Sequence, residues 1–550
     1  MISFSTKTVL VLLFISVSAS AQKLKKADKT TIANLRTHVA FLADDKLEGR
    51  RAGSPGEKLA MEYIRGQFEA TGLLPKGTEG YYQSFEINEG KQITPATYFK
   101  INNTDLEAGK DFFPFPFSPG KKVEAAPAIA IQEADMPWFV DLAETLEESK
   151  SNPHFDLNEY IRNNSKKAAD RGATAIILYN SSTTDDKLIF NGKDKSELLS
   201  IPVVYVSKDV SGKYFKDKTA TLDIKLNVAI GEKKRTGHNV VGYIDNSALS
   251  TVVLGAHFDH LGYGEDGNSM LRTGEKLIHN GADDNASGTA ALLELARVLK
   301  SSKAKKSNYL FIAFSGEELG LYGSKYYTDN PTIDLGSVNY MLNMDMVGRL
   351  NDSTKILSVG GYGTSPAWAR VIRTDDTKLP FVIKADSSGS GPSDHTSFYR
   401  KDIPVLFFFT GQHRDYHRPS DDADRINYTG ELHVVNYINN IIHSLDKENQ
   451  KLAFLKTREP QMGTRAFSVT MGIMPDYTFS GTGVRADGVT EGRPASKAGL
   501  KTGDVIIQIG EYTISSVETY MQTLGKFKKG DKTKVKFKRG AETLEALVEF

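Results

Sequence analysis

The chain has 550 residues, 69 Lys+Arg against 68 Asp+Glu, no cysteine, 39% hydrophobic and 25% charged residues, a length that predicts three or four domains at ~100–200 residues each. Even charge speaks against nucleic acid and against an anionic membrane surface as partners, since both call for a basic excess. Missing thiols exclude disulfide frameworks, thiolate nucleophiles, Cys-ligated zinc and iron–sulfur clusters, so any catalysis has to use oxygen and nitrogen groups, with or without a metal.

Residues 1–21 carry one Lys, an apolar run from Val9 to Val17, and small residues ending Ala19-Ser20-Ala21. That order is the pattern of a secretory signal peptide, and the apolar run is too short to span a bilayer. The expectation is export to the periplasm or the exterior. No thiol follows the cleavage site, so no membrane anchor through a lipidated cysteine is expected. Removal of one Lys and no acid leaves the mature chain without net charge. An exported protein without disulfides takes its stability from its cores or from bound metal.

Residues 22–104 are read as the N-terminal helical part of a larger domain, because TTIANLRTHVAFLADDKLEG and EKLAMEYIRGQFEATGL place apolar residues three and four apart and each stops at a Gly. Residues 105–232 open with FFPFPFSPG and contain the short runs AAPAIAIQ, GATAIILYN and IPVVYVS, a β-rich insert. From 233 to 448, strand patterns such as STVVLGAHFDH and NYLFIAFSGEE alternate with helical ones such as SGTAALLELARVLKSS. That alternation predicts an α/β domain, a doubly wound, mostly parallel sheet with helices on both faces. A charged stretch gives a linker at 449–463, and the Gly-rich residues 464–550 form a small separate β module.

Acidic and imidazole side chains recur where strand patterns of the α/β region end, the edge at which open parallel sheets bind ligands. His257 and Asp259 close TVVLGA, and residues two apart on an extended chain point the same way, so Asp259 is placed to hold the His257 ring. Asp283 and Asp284 sit in a loop feeding a helix, where a helix cap is the ordinary reading. Glu317 and Glu318 follow YLFIAF side by side, so that one can bind metal while the other faces substrate. Asp345 lies in NMDMVG and His417 in DYHRP. Taken singly each has a bland explanation. Together they would put unpaired polar groups on five strand ends for unrelated reasons, which is costly. Two histidines, three or four carboxylates and no sulfur suit Zn²⁺, with Mn²⁺ or Co²⁺ as substitutes. Six potential ligands exceed the three of one catalytic zinc, so a bridged two-metal site is expected.

GAHFDHLG, GADDNASG, SGEELGLYGS, NMDMVG and DYHRPSDD, in this order, resemble the zinc exopeptidase family of aminopeptidase Y, bacterial leucyl aminopeptidase and glutamate carboxypeptidase II. The resemblance runs from about 237 to 445. It implies that one zinc is held by His257 and Asp345, the other by Glu318 and His417, and that Asp284 bridges them. It further implies Glu317 as general base and Asp259 as the residue orienting His257, with Asp283 a supporting group. The expected function is removal of N-terminal residues from peptides. Rival readings are a carboxypeptidase or dipeptidase using a cation among Arg349, Arg400, Arg414 and Arg418, a one-zinc glutaminyl cyclase, and a non-catalytic binding protein. His260, His279, His395 and His413 are read as surface or hydrogen-bonded groups, Ser393-Asp394-His395 as part of a substrate-side loop, and Tyr416 as a packing residue or an oxyanion donor.

The insert is similar to a protease-associated domain. The terminal module, with EGRPASKAGLKTGDVIIQIGEYTI, resembles a bacterial PDZ domain. That likeness implies capture of a peptide C-terminus as an added strand, its carboxylate held by a loop at Gly472, Ile473 and Met474.

Overall fold

The computed structural model describes residues 24–149, 155–271, 273–448, 450–457, 469–475, 479, 481–490, 492–515 and 517–550. The signal-peptide reading and residues 449 and 458–463 of the linker fall outside these residues; the described part of the linker, 450–457, packs on the α/β domain, with Leu452 in its core and the Thr457 amide donating to the Tyr399 hydroxyl at 2.9 Å. No helix among the described residues is long and apolar enough to cross a membrane.

Helix α1 (Lys26–Leu42) buries Leu35, Val39 and Leu42, one stripe at helical spacing. Helix α2 (Pro55–Thr71) starts behind Ser54, whose side chain accepts from the Glu57 amide, and ends at Gly72 with φ 78°. After α2 the chain leaves the helical pattern. Leu74–Pro75 pairs at the sheet edge, and β1 (Tyr82–Ile93) forms a long antiparallel ribbon with β2 (Ile230–Ile244). Strand 98–101 pairs with 104–106 on one side and with 224–228 on the other, and 224–228 pairs in turn with 121–125, which ties the end of the N-terminal region to the insert. A second sheet of the insert joins 112–114, 203–206, 175–179 and 137–141. Ribbon β1–β2 carries both of these sheets away from the central one.

The central sheet continues with β3 (Thr251–His257), β4 (Asn308–Phe314), β5 (Val338–Met344), β6 (Ile356–Gly360), β7 (Val382–Ala385) and β8 (Val405–Phe409). In space the order is β2-β4-β3-β5-β8-β6-β7. Strand β3 runs parallel to both β4 and β5, and β5 parallel to β8, while β2 and β6 enter antiparallel. Successive residues alternate between faces. Val252, Leu254, Ala256 and Phe311 pack under α1, α2, α3 (Gly288–Lys300) and α6 (Tyr428–Glu448). Val253, Leu310, Ile312 and Phe314 pack on the other face against Tyr327 of α4 (Tyr322–Asp329) and Phe398 of α5 (His395–Tyr399). The sheet is therefore covered on both sides, as the apolar strands required. Since β4 lies on one side of β3 and β5 on the other, the connections diverge at β3. A crevice opens there, beyond the carboxyl ends of the strands.

Candidate metal centre

His257 is the last residue of β3, Glu317 and Glu318 follow β4, and Asp345 follows β5, so three neighbouring strands deliver their chemistry to one edge. Asp284 does not cap α3. The segment 282–287 ahead of the helix has non-helical backbone at Asp284 (φ −104°, ψ 94°) and Asn285, joined by a cis peptide, and α3 begins only at Gly288. Asn285 ties this segment to the end of β5: its Nδ2 donates to the Met344 carbonyl (3.0 Å), and its Oδ1 accepts from the Met346 amide (3.1 Å). Gly281, at φ +55°, lets the segment turn beneath His260, where an added Cβ would stand 2.5 Å from the ring.

The donor atoms gather in two groups around one carboxylate. Asp284 Oδ1 is 3.5 Å from His257 Nε2, which is 3.4 Å from Asp345 Oδ1. Asp284 Oδ2 is 3.4 Å from His417 Nε2, which is 3.2 Å from Glu318 Oε2. Two atoms bound to one zinc at ~2.0–2.2 Å in tetrahedral geometry stand ~3.3–3.5 Å apart. The spacings therefore fit pairs of donors sharing a cation, and the shortest, His417 to Glu318 at 3.2 Å, also lies within hydrogen-bond range. A third imidazole, His260, also stands near Asp284 and Glu318, and with them forms a cluster able to hold an ion. Its Nδ1, however, is 2.7 Å from Glu318 Oε1 and 4.0 Å from Asp284. The shorter distance is that of a hydrogen bond, and burial pulls the ring well below the usual histidine range, so a neutral His260 donates to Glu318.

Glu317 turns to the His257 side, with Oε2 3.9 Å from Nε2. Burial, then repulsion from Asp345, Glu318 and Asp394, raises its carboxyl well above the ordinary range, while His257 opposes the shift. The Asp259 carboxylate accepts from the Glu317 backbone amide at 3.1 Å. His257 Nδ1 is closer to the Asp259 carbonyl (3.2 Å) than to its carboxylate (3.7 Å), so Asp259 holds the ring through its backbone as well as its side chain. His417, with φ 54°, has its Nδ1 2.8 Å from the carbonyl of Asn268, whose Nδ2 donates to the Glu318 carbonyl at 3.1 Å. Burial opposes a charge on His417, but hydrogen bonding to Asp284 and Glu318 outweighs it and pushes the ring up to about 11 before any metal enters.

Three supporting residues escaped the sequence reading. Asp421, fully buried, accepts from the backbone amides of both Asp283 and Asp284 at 3.0 Å. Arg50, also fully buried, donates to the carbonyls of Phe258 (2.7 Å), Asn280 (2.6 Å), Gly281 (3.0 Å) and Leu42. Burial pulls its guanidinium down to about 10, against the attraction of Asp259, Asp284 and Asp421, which leaves it a cation at neutral pH. The third is Asn268. Each works through backbone atoms, so no spacing of residue types announces it. Asp283 is a supporting group as expected: it accepts from Gly348 N (2.7 Å) and faces His413 Nε2 (3.2 Å). His279 sits against Ser269 Oγ at 2.7 Å. The loop 393–395 is buried, with His395 stacked on Phe407 at 4.6 Å, and burial pushes Asp394 up to about 7. Tyr416 stacks on His417 at 3.8 Å, with its hydroxyl held protonated by burial and the surrounding carboxylates.

Residues 239–442 match the family model described as Peptidase family M28. Residues 460–550 match the PDZ domain. Among curated relatives, the aminopeptidase YwaD of Bacillus subtilis is 29% identical over 327 residues, 57% of this chain and 65% of that protein. The probable lipoprotein aminopeptidase LpqL of Mycobacterium tuberculosis is 29% identical over 44% of this chain and 47% of its own length. The match thus spans less than two thirds of either relative. A solved aminopeptidase from Aneurinibacillus sp. strain AM-1 aligns with 79% of this chain and 97% of its own at 24% identity and TM-score 0.42. In the M28 segment lie His257, Asp284, Glu317, Glu318, Asp345 and His417. The PDZ segment has its own core, built on Met471, Val484, Ile506, Ile509, Val535 and Phe537. Its Ile473–Pro475 strand pairs with Val484–Val489, and Gly472 precedes that strand at φ +74°, packed so closely on Arg493 that an added Cβ would be 2.2 Å from its stem.

Proposed function

We propose that this protein is an exported metallo-exopeptidase that uses two zinc ions to remove N-terminal residues from peptides. The observation that carries the reading is Asp284, whose two oxygens face different imidazoles, His257 and His417, at ligand-to-ligand spacing. His257 and Asp345 would hold one ion, Glu318 and His417 the other, and Asp284 would serve both. When bound, such a pair polarises the scissile carbonyl, acidifies water and shares the charge developing on both oxygens. Manganese or cobalt suits the same donors.

The protein's own groups supply the rest. Glu317 takes a proton from the attacking water and returns it to the leaving amine. Asp259 fixes both the Glu317 amide and the His257 ring. No covalent intermediate is needed, in keeping with a chain that has no cysteine. The signal-peptide pattern at 1–21 supports export. The insert reads as a protease-associated domain beside the active site. Gly472 and the strand residues behind it, Ile473 and Met474, expected as a loop but found at the start of the Ile473–Pro475 strand, are where the PDZ domain would receive a peptide carboxylate, whether of substrate or of partner.

Release of an amino acid from an unblocked aminoacyl anilide tests the function. The purified protein with zinc is expected to cleave it, to lose activity with a chelator, and to ignore the N-blocked compound. Cleavage of N-blocked peptides from the carboxyl end would replace the aminopeptidase reading with a carboxypeptidase one.

A further inference from the structure

Outside the centre, four charged side chains form a closed knot where the insert's ribbon meets the M28 domain. Arg51 grips Asp266 with two hydrogen bonds, Nε to Oδ2 (2.8 Å) and Nη2 to Oδ1 (2.9 Å). Arg235 Nη2 reaches the same Oδ2 at 3.2 Å. Both arginines also meet Glu89 Oε1, Arg51 at 2.8 Å and Arg235 at 3.1 Å. The side chain of Arg235 is only 9% exposed and that of Asp266 18%, so the pairs are largely shielded from water, where bidentate Arg–carboxylate contacts hold best. Glu89 belongs to β1 and Arg235 to β2, the two strands that carry the insert. From the insert itself, Lys193 Nζ donates to the Asp266 carbonyl at 3.2 Å.

Asp266 begins a short strap over the metal centre. Two residues on, Asn268 accepts from His417 through its backbone oxygen and donates to the Glu318 carbonyl through its side chain. Two further on, the Met270 amide donates to the His417 carbonyl at 2.9 Å. Strap 266–270 therefore holds His417 at both ring and backbone, at a residue whose φ of 54° is otherwise unfavourable. Neither Asp266 nor its arginines offers a donor to an ion. We propose that the knot Arg51–Glu89–Arg235–Asp266 is the positioning element of the Glu318/His417 half of the site, linking the seating of the insert to the affinity of that half for its ion.

This inference rests on the two-ion reading above, and the test separates the two. Zinc binding to the full chain is measured by competition with a chromogenic chelator for wild type, Asp266→Ala and His417→Ala. Wild type is expected to take two ions; a single ion sinks the two-ion reading at that step, before any variant is considered. Asp266→Ala is expected to weaken one of the two steps about tenfold, within the 10–100-fold range typical of outer-shell partners. It should leave the other step within twofold, and the weakened step should be the one that His417→Ala removes. A merely structural role moves both steps together, and that result, like unchanged binding, overturns the proposal. Should Asp266→Ala fail to fold, Arg235→Gln keeps Arg51's two bonds to Asp266. It is expected to give a smaller loss confined to the same step, and equal losses at both steps would overturn the proposal there too.

Discussion

The knot and the metal centre are both crowded with buried charge, yet they solve the crowding in opposite ways. In the knot, two guanidiniums face two carboxylates, and Lys233 adds a third cation at 3.2 Å from Glu89. In the centre, Asp284, Asp345, Glu317 and Glu318 converge on imidazoles. The nearby cation Arg50 spends its donors on carbonyl oxygens. Charges balanced by side chains make a joint, whereas carboxylates left without a matching side-chain cation make a place for ions.

The largest consequence falls on Glu317, which among the described residues meets neither a guanidinium nor an ammonium. Glu317→Gln keeps the shape of the site and removes its base, so turnover on an unblocked anilide is expected to fall by about 10²–10⁴-fold with zinc content unchanged. A loss of zinc in that variant would instead place Glu317 among the ligands.

A smaller effect separates the two regions by pH. In the knot, burial opposes ionisation of Asp266 and Glu89, but Arg51, Arg235 and Lys233 outweigh it and hold both carboxyls below their usual values. Their contribution is therefore present above ~pH 4, the ordinary carboxyl range, and is lost as acid protonates them. In the metal-free centre His417 is raised to about 11. Its contribution is complete below ~6.5, the unfolded value, and fades as pH rises from there toward about 11. Urea midpoints in chelator, compared between wild type and His417→Asn, should therefore converge as pH rises from 6 to 10. Added zinc must displace the His417 proton, so zinc stabilisation of the wild type should grow over the same interval. A wild-type advantage that widens with pH in chelator would show that the carboxylates do not hold that proton.

The ligand-bearing strand ends were legible because each puts a rare residue type where an apolar run stops; His257, Glu318 and Asp345 share one sheet edge, whereas Asp284 comes from the segment ahead of α3 and His417 from a loop beyond β8. Asp421, Arg50 and Asn268 were not legible, since they act on amides and carbonyls that every residue possesses. The resemblance already favoured His417 over His260, and the distances supply the physical reason: His260 Nδ1, 2.7 Å from Glu318 Oε1, is a hydrogen-bond partner, whereas His417 Nε2 stands at ligand spacing from both Glu318 and Asp284. Strand β1 was absorbed into a helical region although Gln83, Phe85 and Ile87 alternate inward. Gln83 is polar, and its burial is explained only by partners distant in sequence: it donates to the Asn330 carbonyl at 2.7 Å and accepts from the Asn239 amide at 3.0 Å. In the PDZ domain the fold was readable from its glycines and short strands. Its specificity was not, because a peptide strand is recognised through backbone groups.

Zinc content after dialysis, measured on wild type and on Asp284→Ala, tests the shared carboxylate most directly. Two ions per wild-type chain and none retained by the variant are expected, since each half of the site loses the group that joins it to the other. One ion per wild-type chain, or a variant that keeps one ion at wild-type affinity, would contradict a bridging Asp284.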